Sequence, residues 1–278
     1  MNENMNENMN ENIKLYHGDC LEIMPQIPDK SIDMILCDLP YGTTACKWDV
    51  IIPFEPLWKE YKRIIKERGC IALFGSEPFS SHLRMSNIKQ FKYDWIWVKS
   101  KTVGFLNAKN APLKTHEIIS IFSRGNTANC NKNNMVYNPQ NLVRIDKIKK
   151  SASQKGDKIV GDRPSRTKNY LCEYSGYPKT ILMYNNETNT VHPTQKPVNL
   201  LEYLIKTYTL ENETVLDNCM GSGSTGVACV NTNRKFIGIE KDDKYFEVAK
   251  NRIEAEQNKD TIICDKQNNP IIEKKKLF

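Results

Sequence analysis

Residues 38–41 of this chain, Asp-Leu-Pro-Tyr, combine side chains that can bind and orient a planar amine, and they follow an apolar run at residues 31–37. Such a run predicts a buried strand, and open parallel sheets bind ligands beyond the carboxyl ends of their strands. Asp38 and the Leu39 carbonyl can each accept one N–H of an exocyclic amino group. Pro40 has no N–H and restricts the conformation of Leu39, and Tyr41 can stack on a planar ring.

The chemistry that such a site could perform is activation of an aromatic amine. The lone pair of this amine is delocalised into the ring, which makes the nitrogen a poor nucleophile. Two acceptors out of the ring plane favour a pyramidal nitrogen, so positioning and charge stabilisation can replace a strong base. Alone, the tetrapeptide is more often a turn that ends a strand, and the functional interpretation therefore depends on a second motif.

That second motif is glycine-rich and lies near the other end of the chain. A strand-like run at residues 214–216 leads through Asp217 to Gly221-x-Gly223-x-x-Gly226, a predicted helix follows, and Glu240 ends the next strand-like run. In this context the glycines permit a tight turn and close approach of a ligand, and the acid can accept hydrogen bonds from two ribose hydroxyls.

Asp217 discriminates between the nucleotide-like ligands that such a turn can bind. The phosphates of a dinucleotide need the helix N-terminus, and a carboxylate beside it would repel them. The same carboxylate would attract the ammonium group of a methionine moiety. The pattern therefore predicts S-adenosylmethionine rather than NAD. An oxidoreductase, and a glycine turn without any ligand, stay as alternatives.

Alternating patterns indicate the scaffold that positions these motifs. Strand-like runs are predicted at residues 13–16, 31–37, 70–74, 95–98, 118–122, 214–216 and 235–239, and helices at 54–67, 197–208, 226–230 and 245–256. This alternation predicts an α/β protein with a doubly wound, mostly parallel sheet. Residues 1–12 are three Met-Asn-Glu-Asn repeats without apolar periodicity, and we expect them to be disordered.

The positive charge of the chain is concentrated in one segment. The net charge is +7, and residues 124–180 contain twelve Lys and Arg against four Asp and Glu, a local net charge of +8. The segment is rich in Asn, Lys, Ser and Gly and too long for a plain loop, so we predict an inserted module at residues 124–190. Its charge indicates a polyanionic partner, with a solvated basic insert as the alternative.

Composition argues against several classes of protein. No run of about 18 apolar residues is present, so no membrane span is expected, and no secretion signal is indicated. The nine cysteines are odd in number and form no C-x-x-C pair, so we expect reduced thiols in a cytoplasmic protein. Disulfides and a metal site are not expected.

Together the motifs resemble the beta class of bacterial and phage DNA amino-methyltransferases, whose fold is a circularly permuted, Rossmann-like methyltransferase sheet. Residues 38–41 resemble the D/N/S-P-P-Y motif of that class, with Leu39 in place of the usual Pro. Residues 217–224 resemble its D-P-F-x-G-S-G-T motif, with Asn218 and Cys219 in place of Pro and Phe. The change at Cys219 removes an aromatic wall near the catalytic motif.

Two further segments carry the same resemblance. Gly18-Asp19 resembles a cofactor segment whose Asp meets the adenine amine. Residues 192–197, His-Pro-Thr-Gln-Lys-Pro, resemble the segment that lines the methionine end of the cofactor pocket, where Lys196 would help to neutralise the cofactor carboxylate. The resemblance thus implies cofactor contacts by Asp19, Lys196, Asp217, Gly221, Ser222, Gly223, Ser224 and Glu240.

The resemblance also implies an activity. An Asp at the head of the catalytic motif is typical of adenine-N6 enzymes, which favours site-specific methylation of adenine in double-stranded DNA, with Asp38, Leu39, Pro40 and Tyr41 as the catalytic residues. Cytosine-N4 methylation is the first alternative and a non-catalytic DNA-binding protein a more remote one. A companion restriction endonuclease and a homodimer are left open by the sequence.

The resemblance divides the chain into five parts. Residues 13–123 form the catalytic half, 124–190 the target-recognition insert and 191–256 the cofactor half. The ends are a tail at 1–12 and a polar tail at 257–278.

Overall fold

Strands and helices alternate along most of the chain in the computed structural model, which describes residues 6–44, 46, 49–128, 132–149, 169–188, 190, 195–259, 262–264 and 270–272. The strands are β1 (Asn6–Asn10), β2 (Ile13–His17), β3 (Ile32–Cys37), β4 (Ile65–Gly75), β5 (Phe91–Val103), β6 (Lys114–Phe122), β7 (Val143–Lys149), β8 (Tyr170–Ser175), β9 (Ile181–Met183), β10 (Thr214–Asp217), β11 (Lys235–Glu240), β12 (Ile262–Cys264) and β13 (Pro270–Ile272). The helices are α1 (Cys20–Ile23), α2 (Phe54–Ile64), α3 (Phe79–Ser86), α4 (Val198–Tyr208), α5 (Ser224–Asn231) and α6 (Asp243–Gln257).

Nine strands form one sheet in the order β1-β2-β11-β10-β3-β4-β6-β5-β9. The five strands from β2 to β4 in this order run parallel to one another. Strand β6 is antiparallel to both β4 and β5, and β9 is parallel to β5. Because parallel strands end at the same edge, the segments that follow β2, β3, β10 and β11 meet there.

Strand β3 shows why helices cover both faces of this sheet. All six of its residues are buried. Met34 and Leu36 point into a core shared with α4, α5 and α6. Ile35 and Cys37 point into the opposite core, shared with α1, α2 and α3. A strand that is apolar on both faces needs a helical layer on each. The predicted doubly wound, mostly parallel α/β sheet is therefore confirmed.

The first strand corrects one expectation. Residues 6–10, within the segment expected to be disordered, form β1 and pair antiparallel with β2 in a register that aligns Asn8 with Lys14. A ladder of backbone hydrogen bonds needs no apolar side chains, and an edge strand such as β2 offers unpaired backbone groups. Composition alone therefore missed this strand.

The insert is also shorter than the sequence predicted. The chain divides into one compact unit of residues 1–138 with 180–278 and a second of residues 139–179. Met135 lies in the core of the first unit, and Leu182 of β9 packs there because β9 pairs with β5. Both ends of the predicted insert, 124–138 and 180–190, thus belong to the sheet domain. A strand of three residues is too short for its periodicity to be recognised.

The described residues of the unit 139–179 include two strands that form a hairpin. Strands β7 and β8 pair antiparallel, with Val143 opposite Ser175 and Lys149 opposite Tyr170. All seven residues of β7 are exposed. Its charged side chains include Arg144, Lys147 and Lys149. The hairpin therefore presents cations on a surface rather than a core.

Smaller differences concern the ends of elements. The helix predicted at residues 54–67 ends at Ile64, because Ile65 already pairs with Ile32 as the first residue of β4. Helix α3 was not predicted.

None of the helices in the described ranges is long and apolar enough to cross a membrane. The seven cysteines whose side chains are described are free thiols, and no cluster suited to a metal ion occurs within these same ranges.

Candidate active site

A cavity of about 640 Å³ opens at the carboxyl edge of the parallel strands. The segments that follow β2, β3, β10 and β11 all contribute to its wall. The structure therefore brings together two motifs that are far apart in the sequence. Of the residues predicted for the site, the cavity is lined by Asp19, Asp38, Leu39, Pro40, Tyr41, Lys196, Asp217, Gly221, Ser222, Ser224 and Glu240.

Asp38 lies just beyond the end of β3, and its side chain retains 23% of its exposure. Its Oδ1 atom accepts a hydrogen bond of 2.5 Å from the Tyr41 hydroxyl. Its Oδ2 atom accepts one from the Lys196 ammonium. Burial raises the pKa of Asp38 and the nearby Glu117 carboxylate raises it further, while Lys196 acts in the opposite direction. The carboxylate is thus held by two donors at the wall of the cavity.

The Tyr41 side chain is held through its ring and through its hydroxyl. Its ring packs against Phe79 of α3 with the centroids 5.0 Å apart and the planes tilted by 30°, and its hydroxyl bonds to Asp38. Burial, followed by the charge of Asp38, raises the pKa of Tyr41 well above its ordinary value. Tyr41 therefore stays protonated and remains a hydrogen-bond donor. Beside it, the Leu39 side chain is buried with 3% exposure, which anchors the turn.

Lys196 contacts two carboxylates. Its ammonium donates a hydrogen bond to Asp38 and lies 3.5 Å from Oε2 of Glu117, and its contact with a cofactor carboxylate stays a prediction. Burial lowers the pKa of Lys196, but the two carboxylates outweigh that effect and raise it. Of the motif that contains Lys196, residues His192, Pro193 and Thr194 lie outside the described residues.

Glu117 is a site residue that the sequence reasoning missed. It lies on β6, lines the cavity, and its Oε1 atom accepts a hydrogen bond from Lys99 of β5. Burial raises the pKa of Glu117, but Lys196 and Lys99 outweigh it and lower the pKa. The available signal was an acid at the head of an apolar run. Its partners became visible only once β5, β6 and the segment before α4 were brought together.

Asp217 ends β10 and is held by its own turn. The Thr225 hydroxyl donates to Oδ2 at 2.6 Å, and the Cys219 N–H donates to Oδ1 at 3.2 Å. The residue is only 4% exposed. Burial raises the pKa of Asp217 to about 6, against the hydrogen bond from Thr225. The carboxylate is therefore a negative group at the wall of the cavity whose charge depends on pH near neutrality.

The two glycines of the turn have different roles. Gly221 lines the cavity with φ of 51°. Gly223 has φ of 76°, does not line the cavity, and packs against α6, where an added Cβ would lie 2.9 Å from Cα of Ala249. Gly223 therefore has a helix-packing role, and its predicted contact with a ligand stays a prediction. Arg252 of α6 donates to the Ser222 carbonyl and hydroxyl, which fixes the turn from the same side.

Glu240 and Asp19 also line the cavity. Oε2 of Glu240 accepts the Gly221 N–H at 2.8 Å, and Oε1 accepts the N–H groups of Lys241 and Asp242 at 2.9 Å each. Asp19 caps α1 by accepting the Leu21 N–H at 2.9 Å and pairs with Lys241 at 3.0 Å. These bonds link the end of β2, the end of β11 and the glycine turn into one rigid wall.

Asp49 is a second residue that the sequence reasoning missed. Its carboxylate accepts the N–H groups of Gly42, Thr43 and Thr44 at 2.8, 2.9 and 2.7 Å. Burial acts to raise the pKa of Asp49, but these hydrogen bonds outweigh it and lower the pKa. Asp49 therefore holds the loop that follows Tyr41 in a closed turn.

The arrangement can bind an amino group and a nucleoside-sized molecule side by side. Asp38 and Leu39 of the first motif and Asp217, Gly221 and Glu240 of the second all line this one cavity. Fixed acceptors in a partly closed cavity stabilise a charge that develops on a bound nitrogen.

Comparison with known proteins agrees with this geometry. Residues 32–251 match the family of N6 and N4 methyltransferases described as DNA methylase. The Type II methyltransferase M.HinfI of Haemophilus influenzae is 29% identical over 281 residues, which cover 91% of this chain and 70% of that protein. The DNA adenine methyltransferase YhdJ of Escherichia coli strain K12 is 25% identical over 266 residues, covering 87% of this chain and 82% of that protein.

Solved structures show the same fold. The M1.HpyAVI–SAM complex superimposes with a TM-score of 0.57 and 25% identity, covering 87% of this chain and 98% of that chain. The cytosine-N4-specific PvuII DNA methyltransferase gives a TM-score of 0.60 at 17% identity, covering 91% and 88%, a likeness of fold alone. The resemblance to DNA amino-methyltransferases is confirmed, and the chain belongs to the DNA methylase family of N6 and N4 methyltransferases.

Proposed function

We propose that this enzyme transfers a methyl group from S-adenosylmethionine to the N6 amino group of adenine in duplex DNA. One observation carries the proposal: Asp38, at the end of β3, and the glycine turn after β10 line the same cavity, and Glu240 is hydrogen-bonded to that turn at Gly221. An amine-accepting group and a nucleoside-binding turn are the two parts that methylation of a base needs.

The residues present fit S-adenosylmethionine. The cavity of about 640 Å³ lies within the usual range of small-molecule sites, roughly 300–1,000 Å³. Glu240 is oriented by three backbone N–H groups and would hold the ribose hydroxyls, while Asp217 would hold the ammonium group of the methionine moiety. Asp19 would contact the adenine amine. When bound, this cofactor supplies a methyl group on an electron-poor sulfur.

Asp38, Leu39 and Tyr41 would bind and activate the target nitrogen. A base inside a duplex cannot reach Asp38, so it must rotate out of the stack. Asp38 and the Leu39 carbonyl would then accept the two N–H bonds of its amino group. Tyr41, whose ring is braced by Phe79, would support the face of the base. Asp38 gains most importance as the nitrogen becomes positive during transfer.

Adenine is favoured over cytosine by two observations. The catalytic motif begins with Asp38, the residue type typical of adenine-N6 enzymes, and one relative, YhdJ, is named a DNA adenine methyltransferase. The acceptors themselves would also fit the N4 amino group of cytosine, which stays the second candidate.

The unit of residues 139–179 would carry contacts to DNA. It contains ten Lys and Arg against four Asp and Glu, a net charge of +6 within a chain of +7. A hairpin strand that exposes Arg144, Lys147 and Lys149 can neutralise phosphates, which makes affinity dependent on salt. A companion endonuclease and a homodimer stay predictions from the sequence.

One experiment tests the activity directly. The full chain is incubated with S-adenosylmethionine carrying a labelled methyl group and duplex DNA of mixed sequence, and the DNA is digested to nucleosides. We expect label in N6-methyladenine. Label in N4-methylcytosine would move the assignment to cytosine. A preparation that binds the cofactor and DNA but labels neither base would favour the non-catalytic alternative.

A further inference from the structure

The acceptor atoms that the target amine needs on Asp38 are already engaged. Oδ1 accepts the Tyr41 hydroxyl, and Oδ2 accepts the Lys196 ammonium. An ammonium and an exocyclic amine are both N–H donors, so Lys196 occupies the position that a substrate amine would take on Oδ2. An amine that enters the cavity therefore competes with the Lys196 ammonium for Oδ2 of Asp38.

A second acceptor for Lys196 lies beside the first. Oε2 of Glu117 lies 3.5 Å from the Lys196 Nζ, and among the described residues this buried oxygen accepts no hydrogen bond. The other oxygen of Glu117 is bound by Lys99, which fixes the carboxylate in place. The side chain of Glu117 is 12% exposed, so water has little access to it. Glu117 is therefore a rigid acceptor within a short movement of Lys196.

We propose that Lys196 transfers its hydrogen bond from Asp38 to Glu117 when the target amine enters, so that Glu117 is a positioning residue for methyl transfer. The inference rests on the proposed function and adds a role for Glu117 in it. Without substrate, the Lys196 ammonium donates its hydrogen bond to Asp38. With substrate, the amine donates to Asp38 in place of Lys196, and Lys196 donates to Glu117. Only hydrogen bonds change in this step. The Asp38 and Glu117 carboxylates and the Lys99 and Lys196 ammonium groups keep their charges.

The surroundings of Lys196 suit such a movement. A buried ammonium is stabilised by nearby carboxylates, so a second carboxylate within reach favours its release from Asp38. The residue is 7% exposed, which leaves water a poor substitute. The Phe74 ring lies 5.1 Å from Nζ and offers a cation–π contact. Glu117 thus favours the exchange of Lys196 for the substrate amine on Asp38.

Substitution Glu117→Gln tests this by removing the charge while keeping the shape. We expect kcat for DNA methylation to fall by about tenfold or more, the scale of one hydrogen bond to a charged group. The Kd for S-adenosylmethionine should stay near that of the wild type, whereas the melting temperature should fall, because Glu117 is the buried partner of Lys99. Rates are therefore measured well below that temperature. Glu117→Asp, which keeps the charge, should recover part of the lost kcat. The matched control is Glu77→Gln, which removes a carboxylate paired with Arg84.

A double-mutant cycle separates positioning from a structural role. In the Lys196→Met background no ammonium has to move, so Glu117→Gln should cause little further loss of kcat. The inference is overturned if the fold-losses of kcat in Lys196→Met and Glu117→Gln multiply in the double variant. It is also overturned if Glu117→Gln turns over at the wild-type rate, or if its activity falls only because it binds the cofactor more weakly. Rates are compared on whichever base the wild type methylates. A wild type that methylates neither base would overturn both the proposed function and this inference.

Discussion

Thr225 donates a hydrogen bond of 2.6 Å to Oδ2 of Asp217, from the first turn of α5 to the end of β10. This bond opposes burial, which raises the pKa of Asp217 to about 6. If the ionised carboxylate holds the cofactor ammonium, cofactor affinity should fall as pH decreases through about 6. Thr225→Val should move this midpoint to higher pH. Calorimetric titrations across the pH range would measure it.

The control is Thr207→Val, another buried threonine whose hydroxyl bonds to the Tyr203 carbonyl in α4. It should leave the midpoint unchanged. The stability of the fold should change with pH in the opposite direction to cofactor affinity. Folding raises the pKa of Asp217 from 3.8 to about 6, so ionisation of Asp217 lowers the free energy of unfolding as pH rises through this window. A midpoint unaffected by Thr225→Val would contradict the assignment of Asp217.

Removal of the Asp38 carboxylate should abolish most of the methyl transfer. Asp38→Ala takes away a charged acceptor at the cavity wall, and the loss of one such group lowers kcat by about 10²–10³. Tyr41→Ala should also reduce kcat severely. Cofactor affinity should survive in both, because neither residue belongs to the glycine turn. Asp29→Asn, an exposed carboxylate paired with Arg63, is the control. Wild-type turnover by Asp38→Ala would refute the mechanism.

Glu240→Ala should weaken S-adenosylmethionine binding by about tenfold or more, since hydrogen bonds to a charged group are lost. Calorimetry of the wild type should show a single site, and the exposed Glu247→Ala should match the wild type. Melting temperatures would show whether the bonds of Glu240 to three backbone N–H groups also stabilise the fold. Binding of NAD(H) without any response to the sulfonium cofactor would instead favour an oxidoreductase.

Gly223→Ala should destabilise the protein more than Gly104→Ala. Both glycines have positive φ, 76° and 98°, but an added Cβ meets Ala249 only at Gly223 and open space at Gly104. The positive φ costs about 1–2 kcal/mol in each case, and the packing conflict adds about 1–3 kcal/mol at Gly223 alone. Denaturant unfolding of the two variants would give the difference. Equal losses would exclude the packing role of Gly223.

Neutralising the exposed strand β7 should reduce the salt dependence of DNA binding. The slope of log K against log salt is negative, and each phosphate that is no longer neutralised in Lys147→Gln or Lys149→Gln makes it less steep by about 0.9. Lys59→Gln, exposed on α2, should leave the slope unchanged. Fluorescence titrations at several salt concentrations would measure it. A DNA affinity independent of salt, or unaffected by both substitutions, would count against the role of residues 139–179.

The sequence by itself determined the scaffold and the two motifs. Apolar runs such as Ile32–Cys37 predict strands buried on both faces, because burial of side chains along a short segment is a local property of the chain. The glycine turn, Asp217 and Glu240 were recognisable for the same reason: their spacing fits a strand, a turn and a helix that follow one another. Asp38–Tyr41 needed that second motif before a function could be inferred.

Only the tertiary structure decided which side chains meet. Glu117, Asp49 and the position of Lys196 were not predictable, because their partners come from segments that the sheet brings together, 158 residues apart for Lys196 and Asp38. Strands β1 and β9 depend on pairing with an edge rather than on their own side chains. Ion pairs and strand pairing are relations between distant segments, whereas periodicity and motif spacing are properties of a single segment.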